Sequence, residues 1–251
     1  MTALAPQRSV ARHRLLSIVR LHLANPATLL ATPLAILGAI FVGSLIIWLL
    51  VLRMVGVPAA GGDSGVQITG GTTFIFIYML VVAVQATNVT FALALGYGST
   101  RRDYSLGTAL TFVGLSAAWT VLYSTMSALE QVTNGWGLGG YMFRAAPYSD
   151  VSWLAQTFAT FSLFLFFFFA GSAVAAVYVR WRATGMTVFF LALGALIVGL
   201  VALFTLTDSW DSVWLAFEAV GFTGAFALLL VPTVLSAVLG ALILRRATPR
   251  G

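Results

Sequence analysis

Residues 154–179 read LAQTFATFSLFLFFFFAGSAVAAVYV, with no charged side chain among them. A helix rises about 1.5 Å per residue and a bilayer's hydrocarbon core is about 30 Å thick, so about 20 apolar residues cross it. The stretch is long enough and apolar on every side. Hydrocarbon offers no partner to an unpaired backbone group, so a spanning segment is a helix or a strand of a closed barrel. A barrel strand would be about ten residues of alternating polarity. The run Leu163 to Phe169 does not alternate, and a membrane helix follows.

Five further stretches extend this reading. They are Pro33–Leu52 after the turn signal Asn25-Pro26, Thr72–Leu95, Leu106–Leu129, Gly185–Leu206, and a last one ending at Leu244 before Arg245 and Arg246. The composition agrees: of 251 residues 60% are apolar and 8% charged, and the mean hydropathy is +1.00. Soluble domains are about 45–50% apolar and about 25% charged. A water-soluble enzyme is excluded, and so is a disordered chain. The expected fold class is all-α: a polytopic membrane protein forming one domain over 1–251. Within it, 1–26 is an N-terminal segment and 33–244 a six-helix bundle.

Charge gives an orientation. Arg8, Arg12, Arg14, Arg20, Arg101, Arg102, Arg180, Arg182, Arg245, Arg246 and Arg250 fall on one side with a single acid, Asp103. Arg53 and Arg144 fall on the other with Asp63, Glu130, Asp150, Asp208, Asp211 and Glu218. Positive loops stay cytoplasmic, so both termini are expected inside. Topology accounts for the basic excess, and no nucleic-acid partner is needed.

The N-terminus is too charged to be a signal peptide. Arg12 to Ala24 reads instead as an interfacial amphipathic helix, with Leu15, Val19 and Leu23 on one face and Arg14, Ser17 and Arg20 on another. The outer loop 130–152 carries Trp136, Tyr141, Tyr148 and Trp153, and rings of this kind favour the membrane surface. It reads as an aromatic belt or an exit-side gate. The stretch Asp208 to Leu244 is too long for one span. A short outer helix at Ser212–Val220 is expected, then a break at Gly221 to Gly224. Pro232 follows inside the last span.

Most chemical motifs fail on context. All basic residues are Arg, so no P-loop, Schiff-base or kinase lysine exists. There is no Cys, hence no thiolate nucleophile or Cys-ligated metal. Gly135 to Gly140 spells GxGxxG without a preceding strand, and the sequon Asn88-Val89-Thr90 lies inside a span. His13 and His22 have no nearby carboxylate, so no metal site is expected. The chain is not expected to be an enzyme or to bind a cofactor itself. Neutral polar residues do lie at depth: Gln85 and Asn88 at i, i+3, and Ser116, Thr120 and Ser124 at i, i+4, i+8. Such stripes pack helices together. The alternative is a substrate path through Gln85, Asn88, Thr120 and Ser124. Gly171-x-x-x-Ala175 and Ala195-x-x-x-Gly199 permit close helix approach.

The most informative connection is Gly96-Tyr97-Gly98-Ser99-Thr100-Arg101-Arg102-Asp103-Tyr104-Ser105-Leu106-Gly107, between the second and third spans. Its glycines can end one helix. Ser99 or Thr100 can cap the next. A short charged helix presenting Arg101, Arg102, Asp103 and Tyr104 to the cytoplasm is expected, suited to a groove on a soluble partner.

With this loop, the N-terminal helix, the six spans and the outer helix before the last span, the chain resembles the permease subunits of ABC transporters, type-2 exporter class. The resemblance implies that Gly98, Ser99, Thr100, Arg101, Arg102, Asp103 and Tyr104 form a coupling helix seated on a separate ABC ATPase subunit, which carries the ATP and Mg. It also implies a second permease copy or related permease, surrounding membrane lipids, export of a hydrophobic or amphipathic substrate, and a prokaryotic inner (plasma) membrane. Two other readings stand beside it: a non-transporting scaffold, immunity or sensor protein, and a secondary transporter of inverted three-helix repeats.

Overall fold

A computed structural model describes residues 7–55, 70–144, 148 and 151–247. The connection 56–69 between the first two expected spans, with Asp63, lies outside the described residues, as do Asp150 and Arg250. Six helices follow in chain order: α1 Gln7–His22, α2 Thr32–Val55, α3 Gly70–Gly96, α4 Arg101–Val132, α5 Trp153–Leu206 and α6 Trp210–Arg246. No strand occurs among the described residues. A π-type turn at Ala27–Ala31 leads into α2, and Asn25 Oδ1 accepts from Thr28 N at 3.4 Å before it. Five helical stretches are long and apolar enough to cross a bilayer: Ala27–Met54, Thr73–Gly96, Arg101–Val132, Trp153–Leu206 and Trp210–Arg246. This is the architecture of a multi-pass membrane protein.

Two of these helices are broken. At 54 residues, α5 would run about 80 Å if straight, far beyond one crossing. Arg182 leaves the helical region, at φ 56° and ψ −147°. Phe166 and Leu193 nevertheless line one cavity. On a straight helix their 27-residue separation would put them about 40 Å apart. The chain therefore folds back at Arg182 into two arms, 153–181 and 183–206. In α6 the break falls at Gly221, at φ 68° and ψ 174°, a left-handed φ that glycine adopts without strain.

Helix starts follow local chemistry. Ser152 Oγ accepts from Ala155 N at 3.2 Å and Thr100 Oγ1 from Asp103 N at 3.1 Å. Each satisfies a first-turn N–H that has no partner within its helix.

Packing gathers around two clusters. One joins Ile18, Phe91, Ala94, Tyr104, Ala176, Leu244 and Ala247, where α1, the end of α3, the start of α4 and the end of α6 meet. Arg101, Arg102, Arg245 and Arg246 flank it, and it is called the basic end below. The other holds Trp48, Phe76, Tyr123, Met142, Phe143 and Phe164 and extends towards the opposite end. The second arm of α5 is exposed and apolar all round.

Between α3 and the first arm of α5 the backbones nearly touch. A Cβ on Gly171 would lie 2.4 Å from the Leu80 carbonyl oxygen and 2.9 Å from the Ala83 Cβ. Backbone yields little, so a side chain here forces the helices apart. Gly171→Val should lower the thermal midpoint in detergent, with a loss of about 1–3 kcal/mol. Gly199→Val, at a position with nothing within 4 Å, should leave the midpoint unchanged.

Candidate functional site

The elbow between α3 and α4 is a tight, hydrogen-bonded turn. Ser99 N donates to Ala94 O and Gly98 N to Leu95 O, both at 3.0 Å. This is the paired closure of a Schellman motif, with Gly98 at φ 78° in its left-handed position. Thr100 then caps α4, which begins at Arg101 and continues unbroken to Val132.

The expectation of a separate short helix presenting Tyr104 to the cytoplasm is corrected by this geometry. Arg101 to Tyr104 are the first turn of a 32-residue helix, and Tyr104 is 0% exposed. Its place on α4 explains why. Tyr104, Gly107, Thr108, Thr111, Phe112 and Leu115 recur at three- and four-residue spacing along the buried face. Of the other elbow residues, Gly98, Thr100 and Arg102 are exposed, and Ser99, Arg101 and Asp103 are half-buried. The largest exposed side chain there is Tyr97, at 81%.

Arg101 is committed within the chain. Its guanidinium donates to the carbonyl of Arg245, one of the last carbonyls of α6, which have no partner within their own helix. The elbow is thereby tied to the far end of the sequence.

Beneath the elbow lies a buried polar knot. Thr90 Oγ1 lies 2.7 Å from the Ala86 carbonyl, which only accepts, so the Thr90 proton goes there. Tyr104 OH then donates to Thr90 Oγ1 at 2.9 Å, with the Thr87 carbonyl at 3.3 Å as a second acceptor. His22, 4% exposed, closes the knot. Its Nδ1 is 3.1 Å from the Ile18 carbonyl and must carry the proton. That leaves Nε2 as an acceptor for the Thr108 hydroxyl at 3.4 Å, while Thr90 Oγ1, its proton already given to Ala86, lies 3.3 Å away. The ring packs edge-on against Phe112, centroids 6.0 Å apart. Ile18, one turn earlier, meets Gly107, where any Cβ would lie 2.7 Å from it. Sequence reading placed α1 by its leucines. The docked face is Ile18 and His22, and Leu16 and Leu23 are exposed.

The opposite end has its own knot. Glu130, in the last turn of α4, is 0% exposed. Its Oε1 accepts from Arg144 N at 2.8 Å. Its Oε2 accepts from Met142 N at 3.0 Å, Phe143 N at 3.2 Å and Trp136 Nε1 at 3.1 Å. Gln156 Nε2 donates to the Phe143 carbonyl at 2.7 Å, and Ser127 Oγ donates to Gln156 Oε1 at 2.9 Å. In the described part of the loop expected on the membrane surface, Met142 and Phe143 are instead buried in the bundle, and Trp136, Tyr141 and Tyr148 are half-buried. The glycine run has a backbone purpose: Gly135, Gly137 and Gly139 all have positive φ. A Cβ on Gly140 would lie 2.0 Å from the Trp48 ring. In the same loop, burial pushes the Tyr148 hydroxyl up to about 12.

The residues of the expected substrate path are not brought together. Gln85 is exposed and lines a groove of about 270 Å³ beside His22, Asn25 and Thr28. Asn88 is half-buried, and its Oδ1 has no hydrogen-bond partner. Thr120 donates to the Ser116 carbonyl at 2.7 Å, and Ser124 meets Thr157 Oγ1 at 3.0 Å across the α4–α5 seam. Among the described residues no group of three or more His, Cys, Asp or Glu could hold a metal ion.

No protein-family model matches this chain, and neither does any curated protein or solved structure.

Two outcomes follow from the knots. Burial holds the His22 pKa below its ordinary 6.5, partly offset by the bond to Ile18. A base with a lowered folded pKa keeps its full contribution above the unfolded value and loses it as pH falls towards the lowered one. The thermal midpoint should therefore drop between about pH 7.5 and about pH 5.5, and drop less in His22→Asn. At the other end, Glu130→Ala strands four N–H donors, those of Met142 and Phe143 buried. In this cysteine-free chain, Met142→Cys should then react with a maleimide at least about tenfold faster than with Glu130 intact.

Proposed function

We propose that this chain is the membrane-spanning subunit of an ATP-binding-cassette transporter of the type-2 exporter class, worked by a separate ATPase that docks on the elbow at Tyr97 to Arg102. On this reading α2, α3, α4, the two arms of α5 and the part of α6 after Gly221 are six spans. Both termini are cytoplasmic, α1 lies at the inner interface, and the part of α6 before Gly221 is an outer helix. Two permease chains would enclose the path. The cargo would be hydrophobic or amphipathic, since the bundle supplies apolar surface and few free polar groups.

The observation that carries the reading is the elbow's construction. It exposes an aromatic and a cation, Tyr97 and Arg102, on a rigid capped turn. Directly behind, Tyr104 is bonded to α3 and Arg101 to α6, and α1 meets the same knot through His22. A force applied there reaches four helices without a flexible joint. Such a device suits a partner that favours one of two bundle arrangements by binding them unequally.

One observation favours a second reading, a non-transporting scaffold or sensor: the Thr120 and Ser124 hydroxyls are already bonded within the chain, to the Ser116 carbonyl and to Thr157. Co-purification separates the two. The transport reading predicts that an ATP-binding protein is recovered with the wild-type chain. It is lost in Tyr97→Ala with Arg102→Glu, while membrane insertion and elution volume stay normal. Arg101 is left intact because it caps α6. Recovery without any ATP-binding protein, or an unaltered complex in the double variant, contradicts coupling at the elbow.

A further inference from the structure

The fold-back at Arg182 leaves a cleft of about 820 Å³ between the two arms of α5 and the second half of α6. Its walls include Leu80, Phe166, Ala173, Phe189, Leu193 and Leu239, with hydroxyls only from Thr184 and Ser236. Water gains little in such a space, and apolar cavities stay dry or take an apolar guest. From Phe166 to Trp181 the first arm advances about 22 Å. One leaflet contributes about half of a 30 Å core. On the proposed reading, in which the first arm of α5 is a span, the cleft extends from the basic end to beyond mid-membrane.

Two cations lie beside the basic end of the cleft, outside its lining. Trp181 lines it, and the Arg180 guanidinium lies over that ring, 4.5 Å from its centroid. Arg182 lies over Tyr178 at 5.7 Å. Among the described residues no carboxylate pairs with Arg180. A long apolar slot with a cation stacked on the ring at its basic end matches a molecule with an apolar chain and an anionic head.

We propose that this cleft binds one anionic phospholipid, with an acyl chain between the arms of α5 and its phosphate at Arg180. Cations placed at a membrane interface between helices select such headgroups. A neutral lipid would use the walls and ignore Arg180. Free phosphate would use Arg180 and ignore the walls, and a second copy of the chain would fill the slot with side chains. Lipid retention follows from the cleft and Arg180 whether or not an ATPase partners the chain.

The test is native mass spectrometry of the full chain, released from nanodiscs of phosphatidylcholine doped with phosphatidylglycerol. One phosphatidylglycerol per chain should be retained in preference to phosphatidylcholine, and inorganic phosphate should not displace it. Arg180→Gln should weaken retention about fivefold. Val188→Trp should abolish it by filling the slot. Val188 is 61% exposed, so the larger ring does not enter the core. If that variant fails to fold, Leu239→Trp on the facing helix, 54% exposed in the wild type, gives the same reading. Equal retention of both lipids, wild-type retention in Arg180→Gln or in the folded tryptophan variant, or displacement by phosphate overturns the proposal. So does a lipid-free dimer that Val188→Trp dissociates.

Discussion

Hydrocarbon offers no hydrogen bond, so a polar group is costly here unless the chain satisfies it or carries it to an end of the bundle. Both solutions are visible, and Ser116, Trp119, Tyr123 and Ser162 are buried exceptions. Within helices, Thr111, Thr120 and Thr233 return their hydroxyl protons to the preceding turn. The demanding groups are collected into two knots, His22 with Thr90, Thr108 and Tyr104 at the basic end, and Glu130 with its loop at the other. Apolar contact between helices discriminates poorly in lipid, because lipid tails are as apolar as leucine. Directional bonds at the two ends, with close approaches such as Gly171 on Leu80, therefore fix which helix meets which.

The two knots differ in kind. Glu130 organises backbone: three successive N–H groups and one indole converge on a single carboxylate. A buried carboxylate is tolerable only with such compensation. Its partners lie on the connection to α5, so it locks that connection. The His22 knot uses neutral groups and ties elements distant in sequence. α1 reaches it through His22, α3 through Thr90 and α4 through Tyr104, while Arg101 adds α6 from the surface. On the proposed reading a partner grips the outside of this assembly and Tyr104 carries the displacement inward. Tyr104 would then transmit force and not touch the partner.

The all-helical class and the long apolar segments were legible because hydropathy over about 20 residues is a strong signal. Tyr104 was misplaced because it was read as a member of a charged loop. The clue was its register: with Gly107, Thr108, Thr111 and Phe112 it continues a stripe of small and hydroxyl residues at helical spacing. His22 carried a fainter signal, one turn after Ile18 on the same face. The glycine run at 135–140 could be recognised as unusual from sequence. Its purpose could not, since that depends on Trp48, nearly ninety positions away. Of the polar stripe on α4, Ser124 reaches across to Thr157 on α5, and Thr120 returns its proton to its own helix.

The central claim is that the elbow and the connection between α5 and α6 lie on opposite sides of a bilayer, with the elbow in the cytoplasm. The chain has no cysteine, so single substitutions at Tyr97 and Thr207, both exposed, report each side cleanly. A membrane-impermeant maleimide should label Tyr97→Cys only in inverted vesicles, and Thr207→Cys only in intact cells. Labelling of Tyr97→Cys from outside intact cells, or of both positions from one side, would contradict the account.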